Sequence, residues 1–157
     1  MSEPTREQLL EQLEDSQRRV SAVLAPMESV QDWQREPVEW SFRYIAAHLA
    51  TVEEGCHLPR VERIAAGDNP RLTRYNYTAA NFNQINLADS LNAWSAARRE
   101  LIDFVSRLSE QELRFTGAHE DVGDITLLDA LQEILDQDRG NFRHVCQLIA
   151  DYYEEAL

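Results

Sequence analysis

The stretch TLLDALQEILDQDRGNFRHVCQLIADYY, residues 126–153, carries the most regular helical pattern in the chain. Apolar side chains recur along it every three or four residues, which predicts an amphipathic helix with one face against a core. Thr126 followed by Asp129 is typical of a helix start, where a side-chain oxygen caps the first free N–H groups. The apolar positions are Leu127, Leu131, Ile134, Leu135, Phe142, Val145, Leu148, Ile149 and Tyr152.

Four polar side chains interrupt the apolar pattern on the side of this helix that is expected to face the core. Gln137, Asn141 and His144 follow one another at helical spacing, and Asp138 borders them. A buried polar group without a partner costs ~1–3 kcal/mol, so residues in such positions need hydrogen-bond partners or a ligand. We therefore expect Gln137, Asp138, Asn141 and His144 to line a pocket.

Three more periodic segments precede the last helix. The spacing of apolar residues predicts helices over about residues 5–25, 42–66 and 87–108. Thr5 and Ser41 are the expected caps of the first two. Together the four segments predict an all-α fold, an antiparallel four-helix bundle.

The connections between these segments complete the predicted architecture. Pro59 is expected to kink or divide the second helix. The long, turn-rich segment 66–84 predicts a crossover along the bundle between the second and third helices. Residues 117–124, GAHEDVGD, are expected to form a loop, with no β-hairpin. The length fits a single domain over residues 1–157.

The composition excludes several classes of partner. Fifteen basic residues, all arginine, oppose 28 acidic ones, for a net charge of −13. This charge repels phosphate backbones and anionic lipids, so we expect neither a nucleic-acid nor a membrane partner. No apolar run reaches the ~20 residues of a membrane helix, and the polar beginning is not that of a signal peptide. Cys56 and Cys146 are interpreted as free thiols, which is typical of a cytoplasmic protein.

Histidines on the second helix are also candidates for a site. His48 shares an apolar face with Ile45 and Leu49, and it could meet the polar positions of the last helix across a pocket. His57 lies opposite His48 on a helical wheel and is expected to face solvent. His119 is expected to be exposed in a loop. Trp40 is expected to line the pocket.

Three segments, taken as an ordered set, resemble the DinB/YfiT-like (DinB_2) superfamily of bundle proteins. EWSFRYIAAHLATVEEG (39–55) is similar to its Trp-Ser opening and second helix, and RIAAGDNPRLTRYN (63–76) to its crossover. GAHEDVGDITLLDALQEILDQDRGNFRH (117–144) is similar to its loop and last helix. The resemblance spans about residues 40–148 and implies the same bundle fold.

The resemblance also implies a metal site. Family members typically bind a divalent metal with three histidines, and His48 matches the ligand of the second helix. Gln137 and Asn141 stand where two histidines of the last helix are expected, with Asp138 matching a neighbouring aspartate. His144 falls where the family usually has glutamine. An amide oxygen is a poorer ligand for Zn²⁺ or Ni²⁺ than imidazole, so we expect a degenerate site and no tightly bound metal cofactor.

Three functions remain open at this level. The first is a noncatalytic or small-ligand-binding bundle protein with a degenerate metal site. The second is a metal-dependent thiol S-transferase or hydrolase-like enzyme with a reorganised site around His48, for which Asp138 and His144 form an improvised ligand set for zinc or nickel. The third is a structural or stress-related dimer with a closed pocket. The resemblance further implies a homodimer.

Overall fold

Helices dominate the computed structural model, which describes residues 3–75 and 78–156. Short 3₁₀ segments cover Ala25–Val30, Ala80–Gln84 and Glu112–Arg114. No helix in these two ranges is long and apolar enough to cross a membrane. The α-helices are α1 (Arg6–Leu24), α2 (Phe42–Val52), α3 (Leu58–Ala65), α4 (Leu87–Ser106) and α5 (Leu127–Ala156).

The helix starts follow the capping residues in the sequence. Thr5 caps α1, and its partner Gln8 closes a reciprocal pair of hydrogen bonds. Ser41 Oγ accepts a hydrogen bond from a backbone N–H in the first turn of α2. Thr126 and Asp129 exchange the same pair of bonds at the start of α5. These predicted caps are confirmed.

The predicted second helix is divided in two by a π-helical turn, Glu53–His57, between α2 and α3. The N–H of Leu58 donates to the carbonyl of Glu53, five residues back. Pro59 follows at once; since proline has no N–H, it cannot continue the regular α-helical ladder here. One residue added to a turn rotates everything after it by roughly 100°, because an α-helix has 3.6 residues per turn.

The prediction of a loop at residues 117–124 is wrong, because this segment forms part of a small β-sheet. Strand β2 (Thr116–His119) runs antiparallel to β3 (Gly123–Thr126) and parallel to β1 (Arg71–Leu72). These strands are short and rich in glycine, alanine and aspartate, which have low strand propensity. Backbone pairing therefore forms the sheet without any alternating side-chain pattern in the sequence.

The sheet anchors the connection between α3 and α4. A Cβ atom on Gly117 would lie 2.7 Å from Leu72 Cδ1, so only glycine lets β2 approach β1 and α3 this closely. The connection has the predicted length of a crossover, and its residues 76 and 77 lie outside the described residues.

The buried apolar side chains form two clusters separated by a layer of polar ones. On α4, Arg98 lies between Trp94 of one cluster and Leu101 of the other. Asp138 on α5 likewise lies between apolar residues of the two clusters. So does Glu53, which directly follows α2. We call Glu53, Arg98 and Asp138 the buried ion cluster.

The two clusters also give the direction of each helix. We call the cluster that contains Leu101 the first and the cluster that contains Trp94 the second. Helices α1 and α5 both pass from the first cluster to the second, whereas α2–α3 and α4 pass from the second to the first. The most extensive packing between helices joins α1 with α5 and α2 with α4. A crossover makes consecutive helices run the same way, so an antiparallel order throughout the bundle is not confirmed.

Candidate functional site

The buried ion cluster holds one guanidinium between two carboxylates. Arg98 Nε and Nη2 donate to the two oxygens of Glu53, both at 2.8 Å. Arg98 Nη1 and Nη2 donate to the two oxygens of Asp138, at 2.7 and 3.1 Å. Nη1 also donates to the carbonyl of Leu13 at 2.8 Å. Arg98 is 2% exposed, so the core binds all five of its N–H groups.

Other side chains also donate hydrogen bonds to these carboxylates. Trp94 Nε1 donates to Glu53 at 3.1 Å, and Ser16 Oγ donates to Asp138. Burial alone would raise the pKa of Glu53, but the adjacent Arg98 guanidinium outweighs burial and holds this pKa below its usual value. Glu53 therefore stays ionised at neutral pH, and the cluster is a salt-bridged unit.

Of this cluster, only Asp138 was predicted as a site residue from the sequence. Arg98 lies four residues after Trp94 and three before Leu101, on the apolar stripe of α4. Arg98 on this stripe, and Glu53 four residues after Leu49 on the apolar face of the predicted second helix, were the signals that could have revealed the pair. The spacing of residues along the sequence does not predict which residues of other helices Arg98 and Glu53 would contact.

A cavity of about 260 Å³ lies beside the ion cluster. Its walls come from α2, the π turn, α4, α5 and the segment after β1. The lining residues are His48, Leu49, Val52, Glu53, His57, Tyr75, Trp94, Gln137, Asp138, Gly140 and Asn141.

His48, Gln137 and Asn141 line this one cavity from α2 and α5. Tyr75 donates its hydroxyl proton to Gln137 Oε1 at 2.7 Å. Burial raises the pKa of Tyr75 to about 12, so this hydroxyl stays protonated. Gln137 Nε2 in turn donates to Glu133 at 3.4 Å. The amide of Gln137 is therefore held by protein partners on both of its ends.

The expectation that His57 faces solvent is wrong. His57 is 7% exposed and lines the cavity, with its ring edge-on to that of Tyr75 at 5.9 Å between centroids. On a helical wheel His57 lies opposite His48 only if the helix between them is a continuous α-helix. The π turn adds a residue and rotates His57 by roughly 100° toward the interior.

Two other expected lining residues lie outside the cavity. His144 is exposed on α5, although the nearby Val145 and Leu148 are buried, because it lies at the edge of the helix face that packs against the core. Trp40 is 36% exposed and packs against the His48 ring, with 4.6 Å between centroids, without reaching the cavity wall. His119 is half-buried on β2, where its Nδ1 accepts a hydrogen bond from the Asp121 N–H.

The side chains on the cavity wall do not fit a tightly held transition metal. Across residues 3–75 and 78–156, no three His, Cys, Asp or Glu side chains converge as a ligand set. The alternative set of His48, Asp138 and His144 is wrong, since His144 is exposed and Asp138 is bound to Arg98. Metal coordination by Glu53 or Asp138 would have to break a buried salt bridge.

Burial keeps both imidazoles of the cavity neutral at pH 7. It lowers the pKa of His48 below the ordinary value of 6.5. It lowers the pKa of His57 further, to about 4, although the nearby Glu53 carboxylate acts in the opposite direction. Each neutral ring offers one nitrogen that donates and one that accepts a hydrogen bond.

Comparisons with known proteins agree with this architecture. The sequence profile of the DinB superfamily matches residues 12–145. Among solved structures, YfiT from Bacillus subtilis, described as a probable metal-dependent hydrolase with an unusual four-helix bundle topology, superimposes with a TM-score of 0.80. The two chains are 18% identical, and the match covers 94% of this chain and 87% of YfiT. No curated protein sequence matches.

Proposed function

Because this chain belongs to the DinB superfamily and carries amides where that family is expected to have two histidines, we propose that it is a small-ligand-binding member with a degenerate metal site. The cavity beside His48 is the binding site. Gln137 and Asn141 serve as polar contacts for an organic ligand or as supports for the cavity wall. The protein holds no transition metal tightly.

The observation that carries this proposal is the chemistry of the cavity wall. His48, Gln137 and Asn141 face the same space, but only one of the three offers an imidazole. The two nearby carboxylates are bound to Arg98 and therefore do not replace the missing ligands. A few convergent polar groups in a small, partly apolar cavity are typical of ligand sites.

Metal content separates this proposal from the thiol-transferase or hydrolase-like alternative. The untagged wild type should contain no stoichiometric zinc or nickel. The double variant Gln137→His and Asn141→His should gain a three-imidazole site with His48, because residues four apart share a helix face. Zn²⁺ would then bind the folded form and raise its Tm, by an amount that grows with metal concentration.

Calorimetric titration and thermal unfolding with Zn²⁺ test both proteins. The matched control is Gln147→His with Asp151→His, which creates the same spacing further along α5, outside the cavity. Tight metal binding by the wild type would contradict the proposal. Failure of the first double variant to exceed the control would contradict the match of these residues to the family's ligands.

We further propose a homodimer in the cytoplasm. The apolar residues expected to be available for an interface include Trp33, Phe82, Tyr152 and Tyr153. Phe82 is buried at 4% exposure, whereas Tyr153 is 53% exposed. Light scattering at micromolar concentration should give about twice the chain mass of 18.1 kDa. A mass that stays at one chain across the concentration range would contradict it.

A further inference from the structure

The buried ion cluster carries an uncompensated charge. Glu53 and Asp138 bring two negative charges and Arg98 brings one positive charge, which leaves a net negative charge in the core. Of the charged groups beside the cavity, Glu133 accepts a hydrogen bond from Gln137 and Arg60 lies over the Tyr75 ring, and their charges are opposite. A buried charge without compensation is costly, so a cation in the adjoining cavity would be stabilised.

Three polar side chains on the cavity wall make no hydrogen bond with another described residue. His48, His57 and Asn141 line it, and within the described residues none of their side chains makes a hydrogen bond. No fully enclosed side-chain nitrogen or oxygen in the described parts of the chain lacks a partner. The ring nitrogens of His57, a residue only 7% exposed, are therefore not fully enclosed, and His57 lies on the cavity wall. Each of the three side chains provides an acceptor atom.

We infer that the cavity binds a small primary amine as its ammonium ion. This inference rests on the proposed function and gives its ligand a chemical class. An ammonium group has three N–H donors, and the cavity offers one acceptor each from His48, His57 and Asn141. Its positive charge compensates the excess negative charge of the ion cluster.

The rest of the cavity suits the carbon part of such a ligand. Leu49 and Val52 provide apolar wall, and Trp94 and Tyr75 provide aromatic rings, which attract cations. At about 260 Å³ the cavity is just below the range of sites for drug-sized ligands, so the amine is small. A carboxylate ligand would meet the negative ion cluster and neutral side chains, and is disfavoured.

Calorimetric titration at neutral pH with four probes tests the class of ligand. The probes are n-butylammonium, n-butanol, butyrate and tetramethylammonium. The first should bind with one site per chain. The neutral alcohol, the anion and the cation without N–H donors should each bind at least roughly tenfold more weakly, since charged hydrogen bonds are lost.

Variants locate the site. His48→Leu and Asn141→Leu should each weaken n-butylammonium binding about tenfold or more, because a donor of the ammonium loses its acceptor. His144→Leu, at the exposed position on α5, should leave binding at the wild-type level. If His48→Leu does not fold, Asn141→Leu decides, since it removes only a half-buried amide that makes no hydrogen bond within the described residues.

The outcomes separate this inference from the proposed function. Equal or tighter binding of n-butanol or butyrate, or unchanged binding in Asn141→Leu, would overturn the ammonium assignment and leave a ligand site of another class. No binding of any probe at millimolar concentration would also overturn it. Stoichiometric zinc or nickel in the purified wild type would instead overturn the proposed function.

Discussion

Replacing Arg98 with methionine should lower the free energy of unfolding by about 3–5 kcal/mol, the cost of removing one partner from a buried salt bridge. The methionine fills a similar volume but leaves two carboxylates in the core. Glu53 is 0% exposed and Asp138 is 3% exposed, so water solvates both groups poorly. The protein is expected to be marginally folded or unfolded.

Urea unfolding of the wild type and Arg98→Met at neutral pH measures this loss. Arg99→Met is the control, because Arg99 is the next residue on α4 and is exposed. A surface substitution of this kind should change stability by no more than about 0.5 kcal/mol. Similar stabilities for the two variants would show that Arg98 does not hold the carboxylates together.

A second substitution distinguishes the stranded charges from a simple packing defect. Glu53→Gln added to Arg98→Met removes one of the two uncompensated charges. The double variant should therefore lose less free energy of unfolding than the two single variants lose in sum, because residues in one salt-bridge network couple. Strict additivity would mean that lost packing, and not charge, explains the effect.

Stability should also fall on acidification below pH 6.5, and His57 is the main cause. Its pKa is about 4 in the folded protein, against an ordinary value of 6.5. Between these values the unfolded chain binds a proton that the folded chain excludes, so acid favours unfolding. The contribution is fully present above pH 6.5 and is lost as the pH falls toward 4, to a total of roughly 3 kcal/mol.

Urea unfolding at a series of pH values measures this slope in the wild type and in His57→Gln. The variant lacks the titrating group and should lose much of the slope between about pH 6.5 and pH 4.5. His144→Gln removes an exposed histidine from α5 and should keep the wild-type slope. A His57→Gln slope equal to that of the wild type would contradict the burial of His57.

Glu53 adds a separate effect at lower pH. Its pKa lies below the ordinary value of 4.5 because the attraction of Arg98 outweighs burial. Its stabilisation is present above pH 4.5 and is lost only as the pH falls through its lowered pKa. The His57 window therefore comes first on acidification, which allows the two contributions to be resolved.

Local chemistry in the sequence was enough to predict the helices. Thr5, Ser41 and Thr126 satisfy N–H groups within their own first turns, so their positions mark helix starts in any tertiary setting. Apolar spacing likewise identified the core faces of α1, α4 and α5, because an amphipathic helix has only one stable orientation against a core.

The predicted position of the cavity depended on helix periodicity and on the family resemblance. His48, Gln137 and Asn141 line the same space, as expected from residues that share helix faces. The same reasoning failed for His144, which lies at the edge of the core-facing side of α5 and is exposed although Val145 and Leu148 are buried. It failed for His57 because one π turn changes the phase of all later residues.

Partners between distant segments, by contrast, could not be predicted from spacing. Arg98, Glu53 and Asp138 lie on three different elements, and their salt bridge forms only after those elements pack. The sheet of β1, β2 and β3 likewise depends on backbone pairing between segments far apart in the chain. Helix capping and apolar periodicity depend on residues a few positions apart, so the local sequence is enough to predict them. Buried charge pairing and strand pairing act across space, so the packed core determines which of the available groups meet.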